Sequence, residues 1–414
     1  QTTDPDIITG YNIEGYDFYF ILERAKILNI ENEVNKLARC TTSSCECRLQ
    51  KNVGSAQRGF QDIRTTRIGG RVVMDAMVVI KEFYKLPQYS LNYVSQSLLK
   101  DDEKDDVHYT EITPFQLKNE FTRAKLGKYC IKDCILPLKL IQKCNLYGLN
   151  DAISSLTGAP LNKIIGKGQG GKISILFYHT LKSKDMIVEF KKLVAQGDYQ
   201  GAIVLDPISG LHNNVIVLDF KSLYPSIMRE YKLCVSTRVI NASSDPNAPL
   251  PQSLEEKDIT RIGDKGVFVK PEKATGFVPE LLKHLGESRT STKKLMNQAK
   301  KQGNEELETN LNVKQLAIKI IMNSVYGILA NETTFRMADS AISECVTYIG
   351  RKMIETLKEY MNKKGFINDK YMDRIKEMEY WKNISKKEME QLFELIEVVY
   401  GDTDSVMVKT GLEI

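Results

Sequence analysis

One segment near the C-terminal end constrains this chain more than any other. Ile396-Glu397-Val398-Val399-Tyr400 reads as a strand, Gly401-Asp402-Thr403-Asp404 supplies turn residues, and Ser405-Val406-Met407-Val408-Lys409 reads as a second strand. A β-hairpin with two aspartates at its tip is an odd thing to build for stability. Neighbouring carboxylates repel each other, and a cation beside them relieves the repulsion. The plainer reading is a solvated, Asp-rich turn.

A second segment favours the cation. In Leu218-Asp219-Phe220-Lys221-Ser222-Leu223-Tyr224-Pro225-Ser226-Ile227 an apolar strand ends in Asp219, and a turn then enters a helix. A carboxylate at a strand end is held on a rigid platform. If this strand pairs beside the hairpin, Asp219, Asp402 and Asp404 converge. They could then hold two Mg²⁺ ions roughly 3.5–4 Å apart, the arrangement for in-line phosphoryl transfer. Mg²⁺ prefers oxygen ligands. The chain has only four histidines, widely separated in sequence, which also places hard catalysis on carboxylates.

A third segment runs from Lys314 to Gly327. There Gln315, Lys319, Asn323 and Tyr326 recur at i, i+4, i+8 and i+11, one face of a helix. Leu316, Ile320 and Val325 lie elsewhere on it and can pack. Lysine, asparagine and tyrosine on one stripe suit a triphosphate and a base pair. On the preceding helix Arg289 and Lys293 stand four apart and add a second cationic edge. Each cation alone reads equally as a solvated face.

At 414 residues the chain is too long for one core and predicts two or three domains. Residues 1–150 alternate strand-like and helical runs, an α/β pattern. Ile7 to Asn12 reads as a strand and turn, Phe18 to Leu37 as helix, 39–60 as a loop, Arg71 to Tyr84 as an apolar run and Phe115 to Leu146 as helix. The charged run 101–106 reads as solvated. Residues 151–198 form a connector holding Gly166, Gly168, Gly170 and Gly171. Strands return between Tyr199 and Phe220, and 241–275 reads as a loop or small excursion. Long helices are expected at about 279–302 and 305–328, joined around Gly303-Asn304, with another at about 337–363. The strongly charged stretch 364–391 carries no assigned role.

Net charge is +5, too mild to predict nucleic-acid binding by itself; a large chain that grips nucleic acid needs a basic cleft lining rather than a basic total. Hydrophobic residues make up 42% and no apolar run reaches membrane-spanning length. The chain opens on Gln1 with no secretory segment, and reads as a piece of something longer. Its eight cysteines read as reduced thiols. Cys40, Cys45 and Cys47 cluster, but their spacing fits no common zinc pattern.

Together the three segments carry a resemblance. Asp219 to Ile227 resembles motif A of the family B DNA polymerases, Lys319 to Gly327 motif B, and Tyr400 to Ser405 motif C, in the family's order. Val346-Thr347-Tyr348-Ile349-Gly350-Arg351 resembles the helix after the fingers. Upstream, Gly10-Tyr11-Asn12-Ile13-Glu14-Gly15-Tyr16-Asp17 resembles the family's second exonuclease motif and Tyr129-Cys130-Ile131-Lys132-Asp133 the third. The stretch from Arg71 through Asp75, with Tyr84 to Val94, resembles delta-like cellular and large-DNA-virus polymerases. Tyr199-Gln200-Gly201-Ala202 resembles the switch region between the two activities.

The resemblance implies an RNase H-like exonuclease portion followed by a polymerase palm, an antiparallel sheet, with two-helix fingers. Its divisions are a partial 3′→5′ exonuclease domain at 1–150, the connector, palm at 199–275, fingers at 276–331 and palm again at 332–414. The family's first exonuclease motif and its thumb fall outside the chain, so this piece alone is expected to lack proofreading. Asp219 and Asp404, with the Phe220 carbonyl, are implied as ligands of two Mg²⁺ ions, with Asp402 close by. Ser222, Leu223 and Tyr224 would line the triphosphate pocket, the Tyr224 ring excluding a 2′-hydroxyl. Arg289, Lys293, Lys319 and Asn323 would contact the triphosphate, and Tyr326 and Gly327 the nascent base pair. In the exonuclease, Asp17 and Asp133 would hold metal beside Asn12, and Tyr129 would orient water. The implied partners are primer–template DNA, deoxynucleoside triphosphates and a processivity factor, with no membrane. The compartment is intracellular, nuclear or a viral replication site, and stays open. A protein-primed relative, an inactive structural or template-binding subunit and a pure nuclease are the competing readings. The short span from Asp219 to Lys319, the intact aspartates and the incomplete exonuclease set argue against them in turn.

Overall fold

The structure is a computed structural model and describes residues 3–39, 44–55, 59–100, 107–187, 192–193, 200–240, 249–362 and 396–410. Cys40, the charged run 101–106, Tyr199 and the stretch 364–391 lie outside the described residues. The chain is mixed α/β and divides into two compact units. The first gathers residues 1–176 with 292–318, and the second gathers 177–291 with 319–414.

In the first unit, β1 (Ile7–Gly10) leads into α1 (Asp17–Leu28) and a short α2 (Glu31–Asn35). The helix expected from Phe18 to Leu37 is thus broken. Asn29 takes a left-handed backbone (φ 54°), a conformation that ends helices and that asparagine adopts more readily than most residues. The expected loop at 39–60 is instead mostly a long antiparallel hairpin, β2 (Cys45–Ser55) with β3 (Gly59–Ile68). Its polar text hid it: cross-strand pairing holds this hairpin for most of its length, so little apolar alternation was needed. The apolar run after Arg71 splits into β4 (Val72–Asp75) and α3 (Ala76–Phe83), because the Asp75 side chain caps α3 by accepting from Met77 N at 2.9 Å.

Strands β1 and β4 pair in parallel, with Gly10 opposite Asp75. Around them stand α4 (Leu91–Leu99), α5 (Tyr109–Lys118), α6 (Glu120–Lys143) and α7 (Leu146–Thr157). Met74, Val79, Ile80, Val94, Leu140 and Leu146 form a core shared by β4, α3, α4, α6 and α7, while α5 packs on α6. The connector expected at 151–198 is mostly helical as far as Ser183, with Gly166 and Gly168 just before α8 (Gln169–Ser183) and Gly170 and Gly171 in its first turn.

The second unit is built on a four-stranded antiparallel sheet in the order β5 (Val204–Leu205), β9 (Glu397–Asp402), β10 (Ser405–Lys409), β6 (Val215–Asp219). Its core shows period-two alternation: Val406 and Val408 are buried while Met407 is exposed. Burying each such valine contributes about 1.5–3 kcal/mol. Ile354, with Leu357 and Met361, packs against this face from a long helix near the C-terminal end of the chain. Edge strand β6 has a different surround. Ile216, Val217 and Leu218 remain exposed.

Between β6 and that helix come α9 (Leu223–Glu230), a small hairpin of β7 (Ile259–Ile262) and β8 (Gly266–Val269), and two 25-residue helices, α10 (Phe277–Lys301) and α11 (Glu305–Leu329). Gly303 makes the turn between these two with φ 68°. The sheet-covering helix is α12 (Ser340–Asn362).

Candidate active site

Strand register brings the aspartates to one end of the sheet. Asp219 is the last residue of β6 and lies opposite Ser405; Asp402 is the last residue of β9 and also lies opposite Ser405. The first residue of the central strand is therefore flanked by aspartates on both sides, and Asp404 precedes it in the turn. Backbone bonds pin this turn. Phe220 N donates to Asp404 O at 2.8 Å, Thr403 N to Ile203 O at 3.0 Å and Asp404 N to Asp402 O at 2.6 Å. The Thr403 hydroxyl donates to Asp402 Oδ1 at 2.7 Å. Thr403 holds φ 54° and Ser222 φ 52°, left-handed values that cost a side-chain-bearing residue about 1–3 kcal/mol. Both carboxylate-bearing turns thus keep a strained residue, as sites whose geometry is fixed by their surroundings do.

Electrostatics at this end suit a hard cation. The Asp404 carboxyl is pushed up, first by burial and then by the negative charge of Asp219, with Asp402 adding to it. The charges of Asp219 and Asp402 act on Asp404 in the direction the sequence predicts, and the side-chain donors are all oxygen, the ligand type Mg²⁺ prefers. The aspartates form a row flanking Ser405 rather than a closed cage: among the described residues, no three His, Cys, Asp or Glu side chains gather as a metal group.

Motif A continues into α9, where Leu223 is buried and Tyr224 half-buried. The Tyr224 ring meets that of Tyr326 on α11, with centroids 4.5 Å apart and planes at 47°. Gly350 on α12 faces the same ring; a Cβ there would sit 3.4 Å from Tyr224 Cε1. On α11, Lys319, Asn323 and Gly327 are exposed and Tyr326 half-buried, as one solvent-facing stripe requires, but Gln315 is buried and its amide donates to Asn312. Leu316 was expected to pack and is exposed. The apolar face is instead Ala317, Ile318, Ile321, Met322 and Val325. Half-buried Arg289 and exposed Lys319 belong to the aspartates' unit, whereas Lys293 falls in the first unit.

The resemblance gives Thr347 and Arg351 no role of their own. Both hold the described part of the switch-like segment. Arg351 Nη1 donates to the carbonyls of Gln200 (2.7 Å) and Gly201 (2.5 Å), and the Thr347 hydroxyl donates to Gln200 O at 2.9 Å. No local signal in the sequence marks either residue, because the backbone atoms they hold lie far away in the chain.

In the first unit, Asp17 opens α1 and is exposed, while Asn12 sits in the preceding turn with φ 60°. Tyr129 and Asp133 stand one turn apart on α6, both half-buried, and α6 runs beside β1. Glu14, in the same turn as Asn12, is pushed up to about 7 by burial, aided by Asp75 and opposed by the bond it accepts from Thr66 N.

A model of DNA polymerase family B matches residues 159–413. The chain belongs to DNA polymerase family B. The exonuclease-domain model of the same family matches residues 1–94. Among curated relatives, the chain is 36% identical over 420 residues to the DNA polymerase delta catalytic subunit of Caenorhabditis elegans, and 35% identical over 416 residues to that of Arabidopsis thaliana. Each alignment covers 100% of this chain and 35% of the relative, so the chain spans about a third of their length. A solved family B DNA polymerase from the archaeon Pyrobaculum calidifontis superposes with a TM-score of 0.68 at 25% identity, over 99% of this chain and 46% of that one.

Proposed function

We propose that this family B chain carries the nucleotidyl-transfer centre of a DNA-directed DNA polymerase, together with part of a 3′→5′ exonuclease. One observation carries the reading: the register that sets Asp219 and Asp402 on either side of Ser405, with Asp404 beside them. A fold seeking only stability gains nothing from three aspartates at one sheet end; a site for a metal-bound triphosphate does.

In this reading the four-stranded sheet with α9 and α12 is the palm, and α10 with α11 the fingers. The first unit's 1–150 is the exonuclease portion, of RNase H-like type, and 151–198 the connector. Asp219 and Asp404, with the Phe220 carbonyl, would hold Mg²⁺, and Asp402 supports the turn. Bound Mg²⁺ would neutralise charge developing on the triphosphate and favour the attacking primer 3′-oxygen. Arg289 and Lys319 bring cations to the triphosphate, with Asn323 as a neutral donor. Ser222 and Leu223 line its pocket. Tyr224, braced by the Tyr326 ring, lies under the sugar and rejects a 2′-hydroxyl, while Gly327 leaves room for the nascent pair. Catalysis is then positioning and charge neutralisation, which phosphoryl transfer chiefly needs. The partners are primer–template DNA and deoxynucleoside triphosphates, with a processivity factor for the complete enzyme, inside the compartment that holds the copied genome.

Among the described residues no helix is long and apolar enough to cross a membrane. The test is templated primer extension by the natural polypeptide that carries this sequence, with Mg²⁺ and four deoxynucleotides. Extension that follows the template is expected. A folded protein that binds primer–template and adds nothing would leave the inactive-subunit reading.

A further inference from the structure

Asp75 lies at the C-terminal end of β4, beside Gly10 at the end of β1. It is 1% exposed. Its carboxylate does two things at once. Oδ1 accepts from Met77 N at 2.9 Å and so caps α3. The same oxygen accepts from Asn12 N at 2.9 Å, and Oδ2 accepts from Glu14 N at 3.1 Å. The loop between β1 and α1 is therefore hung on a carboxylate from another element, and that loop carries Asn12 and delivers Asp17.

Two further ties reach the loop from β3. Glu14 Oε1 accepts from Thr66 N at 2.7 Å. Arg64 Nη1 donates to Gly15 O at 3.3 Å, and its guanidinium lies 4.1 Å from the centroid of the Tyr19 ring on α1. Asn12 holds φ 60°, a left-handed backbone that asparagine adopts more readily than most residues and that the surrounding bonds hold in place here. Asp75 supplies two of the bonds that fix it. A carboxylate accepts at both oxygens; an amide in its place would turn an N–H₂ toward one of those N–H groups.

We infer that Asp75 is a positioning residue for the exonuclease site, holding the Asn12–Asp17 loop in place without itself touching substrate. The inference rests on the exonuclease reading of the first unit. Asp75 acts on the loop's backbone, so it sets where Asn12 and Asp17 stand and leaves the polymerase centre in the other unit untouched.

Asp75→Asn in the natural polypeptide tests this, with Asp75→Ser as a second, smaller variant. Three measurements are made on each: excision of a single-stranded 3′ end, templated extension, and amide hydrogen exchange across residues 10–18. Asp75→Asn is expected to lower the kcat of excision about tenfold or more, with KM for the DNA within about threefold and extension unchanged. Exchange at the Asn12 and Glu14 amides should quicken, while β4 and α6 keep their protection. An Asp75→Asn protein that excises like its parent overturns the inference alone. Loss of protection spread evenly over the first unit, or joint loss of excision and extension in both variants, also overturns it, marking Asp75 as structural only. A parent that extends primers but excises nothing overturns the exonuclease reading, and this inference with it.

Discussion

Lys172, at the start of α8, forms an ion pair with Glu82 of α3 inside the first unit. The side chains are 0% and 6% exposed, and the Gln169 amide also donates to Glu82 at 2.8 Å. Taking two charges out of water is expensive, and their mutual attraction offsets the cost only while both are present. Lys172→Met removes one partner and leaves the Glu82 carboxylate buried without that cation. The expected loss is about 3–5 kcal/mol. For a unit of roughly two hundred residues that corresponds to a drop of about 6–20 °C in its unfolding temperature. Adding Glu82→Gln removes the stranded charge and keeps an acceptor for Gln169, so the double variant should recover to within about 1–2 kcal/mol of the parent. Scanning calorimetry reads the three proteins, and hydrogen exchange at the α3 amides assigns the change to this unit. A Lys172→Met protein within about 1 kcal/mol of the parent would refute the reasoning. So would a double variant as unstable as the single one, since the penalty would then not come from a buried carboxylate that has lost its cation.

Three more expectations follow from single sites. Gly401→Ala places a Cβ 2.9 Å from Leu205 Cδ1 and 3.1 Å from the Ser405 carbonyl, so the sheet end must shift; about 1–3 kcal/mol of stability and much of the extension rate should be lost, as a melt and an extension assay on one preparation would show. Tyr224→Val removes the ring that meets Tyr326 and should raise ribonucleotide use relative to deoxynucleotide use; an unchanged ratio of kcat/KM values counts against the sugar gate. Glu14 binds its proton more tightly folded (about 7) than unfolded (4.5), so its contribution favours the folded state below pH 4.5 and is lost as pH rises through 7. Urea unfolding of the parent and Glu14→Gln across that range should show the slope in the parent alone.

The gathering of Asp219, Asp402 and Asp404 at one end of the sheet was legible in the sequence, and the reason is physical. Asp219, Asp402 and Asp404 sit where strands end, and strand ends announce themselves through apolar alternation broken by turn residues. The two long helices were legible within a few residues because their periodicity runs for 25 residues each and Gly303 marks the break. The β2–β3 hairpin was not legible, since its strands are largely polar and their pairing is with each other. Leu316 shows a related limit: helical spacing says which residues share a face, not which face is covered. The work of Asp75 and Arg351 was hidden for another reason. Each serves backbone atoms far away in sequence, at Asn12 and at Gln200, and no local pattern records such a bond.

The most direct test of the central claim is single-turnover incorporation of one templated deoxynucleotide by the parent, Asp219→Ala and Asp404→Ala, with primer–template affinity measured on each. If the row of aspartates at the end of the sheet is the nucleotidyl-transfer centre, both variants bind DNA as the parent does while their incorporation rate falls about a hundredfold or more. Variants that bind and incorporate at the parent's rate would contradict it and place the chemistry elsewhere.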